Sequence, residues 1–298
     1  MTDTHQRPQV ETAAEHDAVG AVAMEMATMR QHTTGPRFID KVLAMWPPVA
    51  LGAIFVGLYL WERQRLDPFK RFLLPSLSEH WNKGIGNPTV LGEVWDRLLI
   101  TGQIALLGLA ASIVLGMLLG IVMFRFRLAE RAFYPFLVTL QSIPILAIAP
   151  LLQSILGFGL APKVIVAFII SFFPIPTTLL LGLKSVPQGM IDIFKLRGAG
   201  EWTILRKVGI PSAMPSLFAG FRISAGLSVI GAIVGELFFR TGAGGLGQML
   251  INRKIELQYP QMYAALFASA GFAVAVYLVF NWVGGRLFNS WHESGEQG

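Results

Sequence analysis

The chain has 298 residues, of which 53% are hydrophobic and only 14% are charged, and its formal net charge is +6. Soluble domains carry about 25% charged residues, whereas this chain holds several apolar runs that reach the roughly 18 residues needed to cross a bilayer, so the sequence predicts an integral membrane protein. It contains no cysteine, which excludes disulfides, thiolate nucleophiles and cysteine-based metal sites.

The N-terminal part is predicted to be a tail followed by one membrane helix. Residues 1–40 are polar and mildly acidic and lack the early apolar core of a signal peptide, so we expect a disordered cytoplasmic tail. The first predicted span, residues 44–60, is bracketed by Trp46 and Trp61, as interfacial aromatic residues bracket membrane helices. Residues 41–100 are expected to hold this span, an external connection that three prolines prevent from being one helix, and an amphipathic lead-in over residues 89–100.

The membrane core is predicted over residues 101–290. Its first span, residues 101–124, contains Gly116 and Gly120 at a spacing that lets a neighbouring helix approach closely, and we expect that neighbour to belong to the same chain. Four further spans are predicted at residues 132–156, 164–183, 217–239 and 262–283. Prolines interrupt the first two of these four. Six helices in all make the predicted fold an all-α integral membrane protein.

Topology follows from the short loops. Lysine and arginine are concentrated after the second and fourth spans, whereas the loop after the third span has only Lys163. Because such residues are enriched on the cytoplasmic side, we expect both termini to be cytoplasmic. The long first connection is also basic, although it lies on the predicted outer face, and the short loops are given more weight. No basic stripe with interleaved aromatic residues is present, so no nucleic-acid partner is expected.

Residues inside the spans provide candidates for a transport pathway. Glu236 is the one acid deep in a predicted span, and ionisable residues at that depth are usually functional. It is either a pathway or gate residue or a structural group paired with a backbone donor or with Arg240. Irregular backbone at membrane depth must face protein or water, which adds the proline-containing spans. The pathway candidates are Gln141, Ser142, Pro144, Pro174, Ser228 and Glu236.

Motifs for chemistry are missing from the sequence. There is no G-x-x-x-x-G-K-[ST] phosphate loop, no H-E-x-x-H and no G-x-S-x-G, so we expect no catalytic residue, no metal site and no cofactor in this chain. The glycine-rich stretch at residues 241–247 is interpreted as a turn or re-entrant element on the outer side. A single-chain secondary carrier or channel remains an alternative, and a membrane scaffold or enzyme is a weaker one.

One basic, polar stretch, residues 192–211, stands between two apolar runs and matches a known motif. The motif reads E-A-A, three residues, G, nine residues, then I-x-L-P. Asp192 takes the place of the acid, Gly198 that of the glycine and Pro211 that of the final proline, while Ile193 and Phe194 depart from the two alanines. The same chain carries Q-S-I-P at residues 141–144, F-F-P-I at 172–175, G-E at 235–236 and G-G-L-G at 244–247.

In this order and spacing, these motifs resemble those of the inner-membrane permease subunits of binding-protein-dependent ABC importers, in their nitrate, sulfonate and taurine branch. The resemblance implies a type I importer (MetI-like) permease fold in a bacterial inner membrane, working as a homodimer or with a related permease. It implies an extracytoplasmic substrate-binding protein and a separate ATPase that binds ATP and Mg²⁺. Solutes in this family include nitrate, alkanesulfonates, taurine and vitamin precursors.

The resemblance also makes residues 184–216 a cytoplasmic coupling loop that the ATPase grips. Phe194, Leu196 and Trp202 would supply apolar knobs, Gly198 would allow a bend between two short helices, and Pro211 would reset the chain direction into the fifth span. The full set of expected coupling residues is Asp192, Ile193, Phe194, Lys195, Leu196, Arg197, Gly198, Ala199, Glu201, Trp202 and Pro211.

Overall fold

The computed structural model describes residues 38–142, 144–240, 242 and 244–292, and nearly all of the predicted tail at residues 1–40 lies outside them. Every regular element within these described residues is helical, as the sequence predicts. The chain divides into two compact units after Pro68. In the first unit, helix α1 (Phe38–Arg65) contains the whole of the first predicted span.

The predicted external connection is built from short pieces. A 3₁₀ helix (Pro68–Leu73), helix α2 (Leu77–His80) and a π-helical turn (Trp81–Ile85) follow one another. Helix α2 begins with a capping box, in which the Ser76 hydroxyl accepts from Glu79 N at 3.2 Å and Ser76 N donates to Glu79 Oε2 at 2.7 Å. The prediction that prolines divide this segment is therefore confirmed.

Helix α3 (Pro88–Arg125) joins the amphipathic lead-in and the second predicted span into one element of 38 residues. Its start is well specified, because Asn87 Oδ1 accepts from Thr89 N at 3.0 Å and Pro88 occupies the first turn, where its missing N–H costs nothing. Val90 and Val94 of the lead-in are buried, whereas Leu91 is exposed. The buried face of the lead-in therefore includes Val90 and Val94 but not Leu91.

Prolines affect the next two predicted spans differently. Residues 132–156 are divided into α4 (Arg127–Ser142) and α5 (Ile145–Leu156), and Arg127–Ser142 is bent by 106° from Ala147–Leu156, with Pro144 at the bend. Helices α6 (Leu160–Phe172) and α7 (Pro174–Lys184) instead form one span, Leu160–Lys184. The expected interruption at Pro174 is confirmed, because one helix ends at Phe172 and the next begins at Pro174. The span still continues through it, since proline is tolerated in the first turn of a helix.

The remaining elements are α8 (Gln188–Leu196), α9 (Glu201–Ile204), a π-helical turn (Leu205–Gly209), α10 (Ile210–Phe238), α11 (Leu246–Ile255) and α12 (Tyr259–His292). By length and composition, four helices in the described part of the chain can cross a bilayer, or five if the bent pair is one span. The four are Pro88–Arg125, Leu160–Lys184, Glu201–Phe238 and Tyr259–Arg286. The first predicted span, within α1, is not among them and stays a prediction.

Helix α10 is the centre of the second unit and packs against α3, α6, α7 and α12. One core cluster joins Ile104 of α3, Ala167 of α6 and Val229 of α10. A second cluster, nearer the coupling loop, joins Ile175 and Leu179 of α7 to the start of α10 and to the π-helical turn before it. The helices that flank the coupling loop are therefore bound into one packed body.

Small residues on α3 permit this packing. A Cβ on Gly108 would lie 2.6 Å from the Cβ of Ala167, and Cβ atoms on Gly116 and Gly120 would meet Ile175 at 2.9 Å and Leu179 at 3.0 Å. The glycine spacing therefore serves packing within the chain, which confirms the expectation.

Replacing Gly108 by alanine should destabilise the protein, because the added methyl group overlaps α6. Overpacking of this kind costs about 1–3 kcal/mol. The matched control is Gly92→Ala in the same helix, where nothing lies within 4 Å of the added Cβ and the better helix propensity of alanine should contribute up to about 1 kcal/mol. Thermal unfolding in detergent should therefore give shifts of opposite sign, and a rise in both variants would contradict the packing.

Candidate functional site

The coupling loop contains the predicted bend. Helix α8 ends where Gly198 adopts a φ of +75°, a conformation that glycine alone enters without strain. Gly198 N donates to Lys195 O at 2.9 Å and Ala199 N donates to Phe194 O at 3.0 Å, which caps the end of α8. Helix α9 starts three residues later, so the expected bend at Gly198 is confirmed.

Apolar side chains project from this loop into the surroundings. Leu196 is 88% exposed, Trp202 is 68% exposed and Ile193 is 54% exposed, while Phe194, which was expected to be a knob, is half-buried. Ile193 is thus the better candidate of the two neighbours. Exposed apolar side chains grouped on a loop with a polar rim mark a surface for a partner.

Charged residues connect the loop to the ends of neighbouring helices. Glu201 forms an ion pair with Arg125 at 2.6 Å, at the last residue of α3, and Lys184 pairs with Glu130 of α4. Asp192 accepts a hydrogen bond from Gln188 Nε2 at 3.4 Å. The two ion pairs lie near the surface, and each contributes about 0–1 kcal/mol to the free energy of unfolding. Their main effect is therefore on where the loop lies and not on how stable the protein is.

The remaining expected coupling residues divide into two groups. Lys195 and Arg197 are exposed on the loop surface. Pro211 does not reset the chain direction as expected, because helix Glu201–Phe238 continues through it with a π-helical turn at Leu205–Gly209. Pro211 lies in the first turn of α10, where its missing N–H is tolerated, and the chain turns earlier, at Gly198.

A cavity of about 430 Å³ lies behind the loop, between it and the ends of α3 and α7. It is mainly apolar, and the ion pair of Arg125 with Glu201 belongs to its lining. The loop therefore does not rest flush on the helix ends. Its apolar lining includes Ile121, Phe124, Leu183, Ile191, Trp202 and Leu205.

At the other end of α10, Glu236 is fully buried and holds three elements together. The Thr101 hydroxyl of α3 lies 3.0 Å from Glu236 Oε2 and 3.1 Å from Oε1, and Gly247 N donates to Oε2 at 2.7 Å. The same hydroxyl accepts from Leu246 N at 2.8 Å. The interpretation of Glu236 as a structural group requires a backbone donor, and Gly247 N is such a donor. Arg240, the other partner suggested for a structural Glu236, is exposed.

Two neighbours complete this buried polar cluster. Lys163 of α6 is also fully buried and interacts electrostatically with Glu236, and its Cα would be 3.0 Å from a Cβ on Gly235. A Cβ on Gly245 would lie 2.1 Å from Glu236 Oε1, so the glycine-rich stretch is required for the loop to approach the carboxylate. We call Thr101, Lys163, Glu236 and the backbone of residues 245–247 the buried latch.

Sequence reasoning missed two members of the latch. Lys163 was assigned to a loop as a topology signal, but it lies inside α6, which begins at Leu160. The apolar run that starts at Val164 could have shown that Lys163 lies in the first turn of a span rather than in a loop. Thr101 gave no signal, because a single threonine in an apolar helix ordinarily bonds to its own backbone.

The other pathway candidates are dispersed. Gln141 and Ser142 are exposed at the end of α4, and Pro144 is exposed at the bend. Pro174 is buried at the start of α7, and the Ser228 hydroxyl is buried and donates to Ala225 O at 2.9 Å within its own helix. Within the described residues, no hydrogen bond joins one candidate to another, and no group of three metal-ligating side chains is present.

Comparison with known proteins shows which family the sequence matches. Residues 112–291 match the family described as "binding-protein-dependent transport system inner membrane component". The formylaminopyrimidine transport permease protein ThiX of Halalkalibacterium halodurans is 39% identical over 209 residues, 70% of this chain and 82% of the relative. The riboflavin transport system permease protein RibX of Chloroflexus aurantiacus is 31% identical over 254 residues, 84% of this chain and 92% of the relative.

A solved structure supports the fold. An inward-facing structure of the MetNI methionine ABC transporter aligns with a TM-score of 0.53 at 22% sequence identity, covering 72% of this chain and 99% of that chain. At this identity the likeness concerns the fold alone, and it agrees with the predicted MetI-like permease.

Removing the Thr101 hydroxyl should loosen the latch. Thr101→Val keeps the shape but leaves Leu246 N and the Glu236 carboxylate short of a partner, which costs about 1–3 kcal/mol. The control is Thr177→Val, since the buried Thr177 hydroxyl bonds only to carbonyls of its own turn, Phe173 O and Pro174 O. Thermal unfolding in detergent should show a clearly lower melting temperature for Thr101→Val but not for Thr177→Val. An equal decrease in both variants would refute the assigned role of Thr101.

Proposed function

The chain belongs to the family of binding-protein-dependent transport system inner membrane components, the permease subunits of ABC importers, and we propose that two copies of it form the pathway for a small solute. It is a transport subunit and not an enzyme, and ATP hydrolysis takes place in a separate subunit. We propose that this ATPase alone binds ATP and Mg²⁺, and that it docks on the coupling loop.

The observation that carries the proposal is the surface of the coupling loop. Leu196 and Trp202 are the most exposed apolar side chains of this loop, and they flank the bend at Gly198. Such anchors dominate protein interfaces when a groove on the partner buries them. The ion pair of Arg125 with Glu201 connects the same loop to the end of α3, so a movement of the loop would be passed to the longest helices.

The proposed orientation puts the coupling loop and both termini in the cytoplasm. The cations of the short loops after the second and fourth predicted spans support it. Residues 1–40 would then be a cytoplasmic tail, residues 41–100 the first span with an external connection and lead-in, and residues 101–290 the permease core with its coupling loop at 184–216. ATP-driven closure of the ATPase subunits would rock the loops and switch access between the two sides.

The solute is proposed to be a nitrate-, sulfonate- or taurine-like anion or a molecule of the vitamin-precursor class, delivered by a binding protein. The relatives named for formylaminopyrimidine and riboflavin favour the second, heteroaromatic class. In the pathway, Glu236 is proposed to act as a gate residue through the buried latch. The exposed polar residues Gln141 and Ser142, next to the bend at Pro144, are proposed to face the solute, and Pro174 and Ser228 to support the walls.

Replacing Leu196 by aspartate should uncouple transport from ATP hydrolysis. The change removes an apolar anchor and buries a charge in the interface, so the expected loss is about 2 kcal/mol or more, or roughly 30-fold in affinity for the ATPase. The measurements are co-purification of the ATPase subunit and ATP-driven uptake into proteoliposomes. The variant should unfold at the wild-type temperature, because the side chain makes little contact within this chain.

Leu128→Asp is the matched control, since Leu128 is 80% exposed on α4 next to Arg127, outside the loop. It should leave assembly and uptake intact. Normal assembly and uptake with Leu196→Asp would contradict the coupling role. Solute uptake by this chain alone, without ATPase or ATP, would instead favour a single-chain carrier or channel.

A further inference from the structure

Leu257, in the turn between α11 and α12, has a strained backbone. Its φ is +58°, and it is the only residue other than glycine with a positive φ in the part of the chain that the structure describes. A Cβ is crowded in this left-handed conformation, which glycine or asparagine adopts far more readily than a branched apolar residue. Helices commonly end with glycine at this position, so a leucine here calls for a reason.

The surrounding structure holds Leu257 in this conformation from both sides. Arg253 Nη1 donates to Glu256 Oε2 and to Gln258 Oε1, both at 2.7 Å, and its Nη2 pairs with Glu93 of α3. Burial opposes the charge of Arg253, but the hydrogen bonds to Glu93 and Glu256 outweigh it and raise the pKa of Arg253. Gln258 N also donates to Arg253 O at 2.8 Å. The turn is therefore fixed, and the strain at Leu257 persists.

Packing within the chain does not explain the side chain, because Leu257 is 61% exposed. It forms one wall of a depression of about 250 Å³ on this end of the molecule. The apolar part of the lining also includes Pro75, Pro260 and Phe72, whose ring lies 5.4 Å from the Tyr259 ring. The remaining lining is polar: Glu79, Lys83, Gln258 and Gln261.

The depression lies at the opposite end of α3 from the coupling loop. Val90 and Val94, in the first two turns of α3, pack with Leu246 and Met249 of α11, whereas Arg125, its last residue, pairs with the coupling loop. A helix of 38 residues separates these ends by about 57 Å. If the coupling loop faces the cytoplasm, which is the proposed function on which this step rests, then the depression faces outward.

Size and charge indicate the kind of partner. A depression of this volume holds one or two side chains and not a lipid chain, and a lipid-facing surface would lack the polar rim. Lys83 of the lining is exposed, and so are Lys70 and Lys254, which are close in sequence to Phe72 and Leu257; Phe69 beside Lys70 is almost fully exposed. These features suit a protein surface that presents an apolar side chain among carboxylates.

We propose that Leu257 and this depression are a docking contact for the extracytoplasmic substrate-binding protein. An apolar side chain of that protein fills the depression between Leu257 and Phe72, and its acidic residues face Lys83 and Lys254. The contact between the Leu257 side chain and the partner accounts for a leucine at a position that favours glycine. The strained turn therefore lowers the stability of the permease while it strengthens binding of the partner. Relieving the strain should change these two properties in opposite directions.

Replacing Leu257 by glycine should make the permease more stable and should weaken the stimulation of its ATP hydrolysis by the binding protein. Relief of the strain should raise the melting temperature of the purified complex by about 2–4 °C. In proteoliposomes, co-purification of the ATPase and ATP hydrolysis without binding protein should be unchanged, while the binding-protein concentration for half-maximal stimulation should rise at least tenfold. The probe is the binding protein whose addition stimulates ATP hydrolysis by the wild-type complex. Leu257→Asn, which also tolerates the left-handed conformation, should behave alike.

Ile255→Ala is the matched control, because Ile255, the last residue of α11, is 66% exposed two residues before Leu257 but does not line the depression, and it should leave stimulation unchanged. Wild-type stimulation of Leu257→Gly would overturn the inference while leaving the proposed function intact. Dissociation of the permease dimer or loss of binding to phospholipid vesicles by that variant would also overturn it, in favour of a second copy or a membrane. A wild-type chain that recruits no ATPase would instead defeat the proposed function.

Discussion

A carboxylate sealed inside a membrane helix bundle must find its hydrogen-bond donors within the protein, and Glu236 finds them on α3 and on the backbone after α10. This requirement explains several features at once. Glycines stand at 245 and 247 because side chains there would collide with the carboxylate or its helix. Thr101 is needed because its hydroxyl serves Glu236 and Leu246 N together. The result is that α3, the end of α10 and the start of α11 are held as one body.

The packed body places two different surfaces at opposite ends of the same long helix. One end carries the coupling loop, with exposed apolar anchors and an ion pair to Arg125. The other carries the glycine-rich stretch, the latch and the turn at Leu257. Closely packed helices between them move as units more readily than they deform, and the proposed mechanism uses this to pass a displacement of the loop along α3 and α10. In the proposed mechanism, breaking or forming the few hydrogen bonds of the latch changes access at this end.

Much of this arrangement could be predicted from the sequence, since apolar runs, glycine spacing and the motif around Gly198 all depend on local chemistry. The continuity of helices was harder to predict, because prolines had different effects. Pro144 lies at a sharp bend, whereas Pro174 and Pro211 lie in the first turns of helices whose spans continue through them. Burial of Lys163 and the part played by Thr101 depend on which helices meet, which a single sequence does not record. The strain at Leu257 could not be foreseen, because it arises from the bonds of Arg253 to residues on both sides of it.

The central claim, that the coupling loop receives the work of a separate ATPase, is tested most directly by cross-linking. The chain contains no cysteine, so Leu196→Cys and Leu257→Cys each introduce one unique thiol for a photoactivatable reagent in the assembled transporter. The account predicts that the label at position 196 captures the ATPase subunit, in a yield that changes with bound ATP, and that the label at position 257 does not. Capture of the ATPase from position 257, or its absence from position 196, would contradict the account.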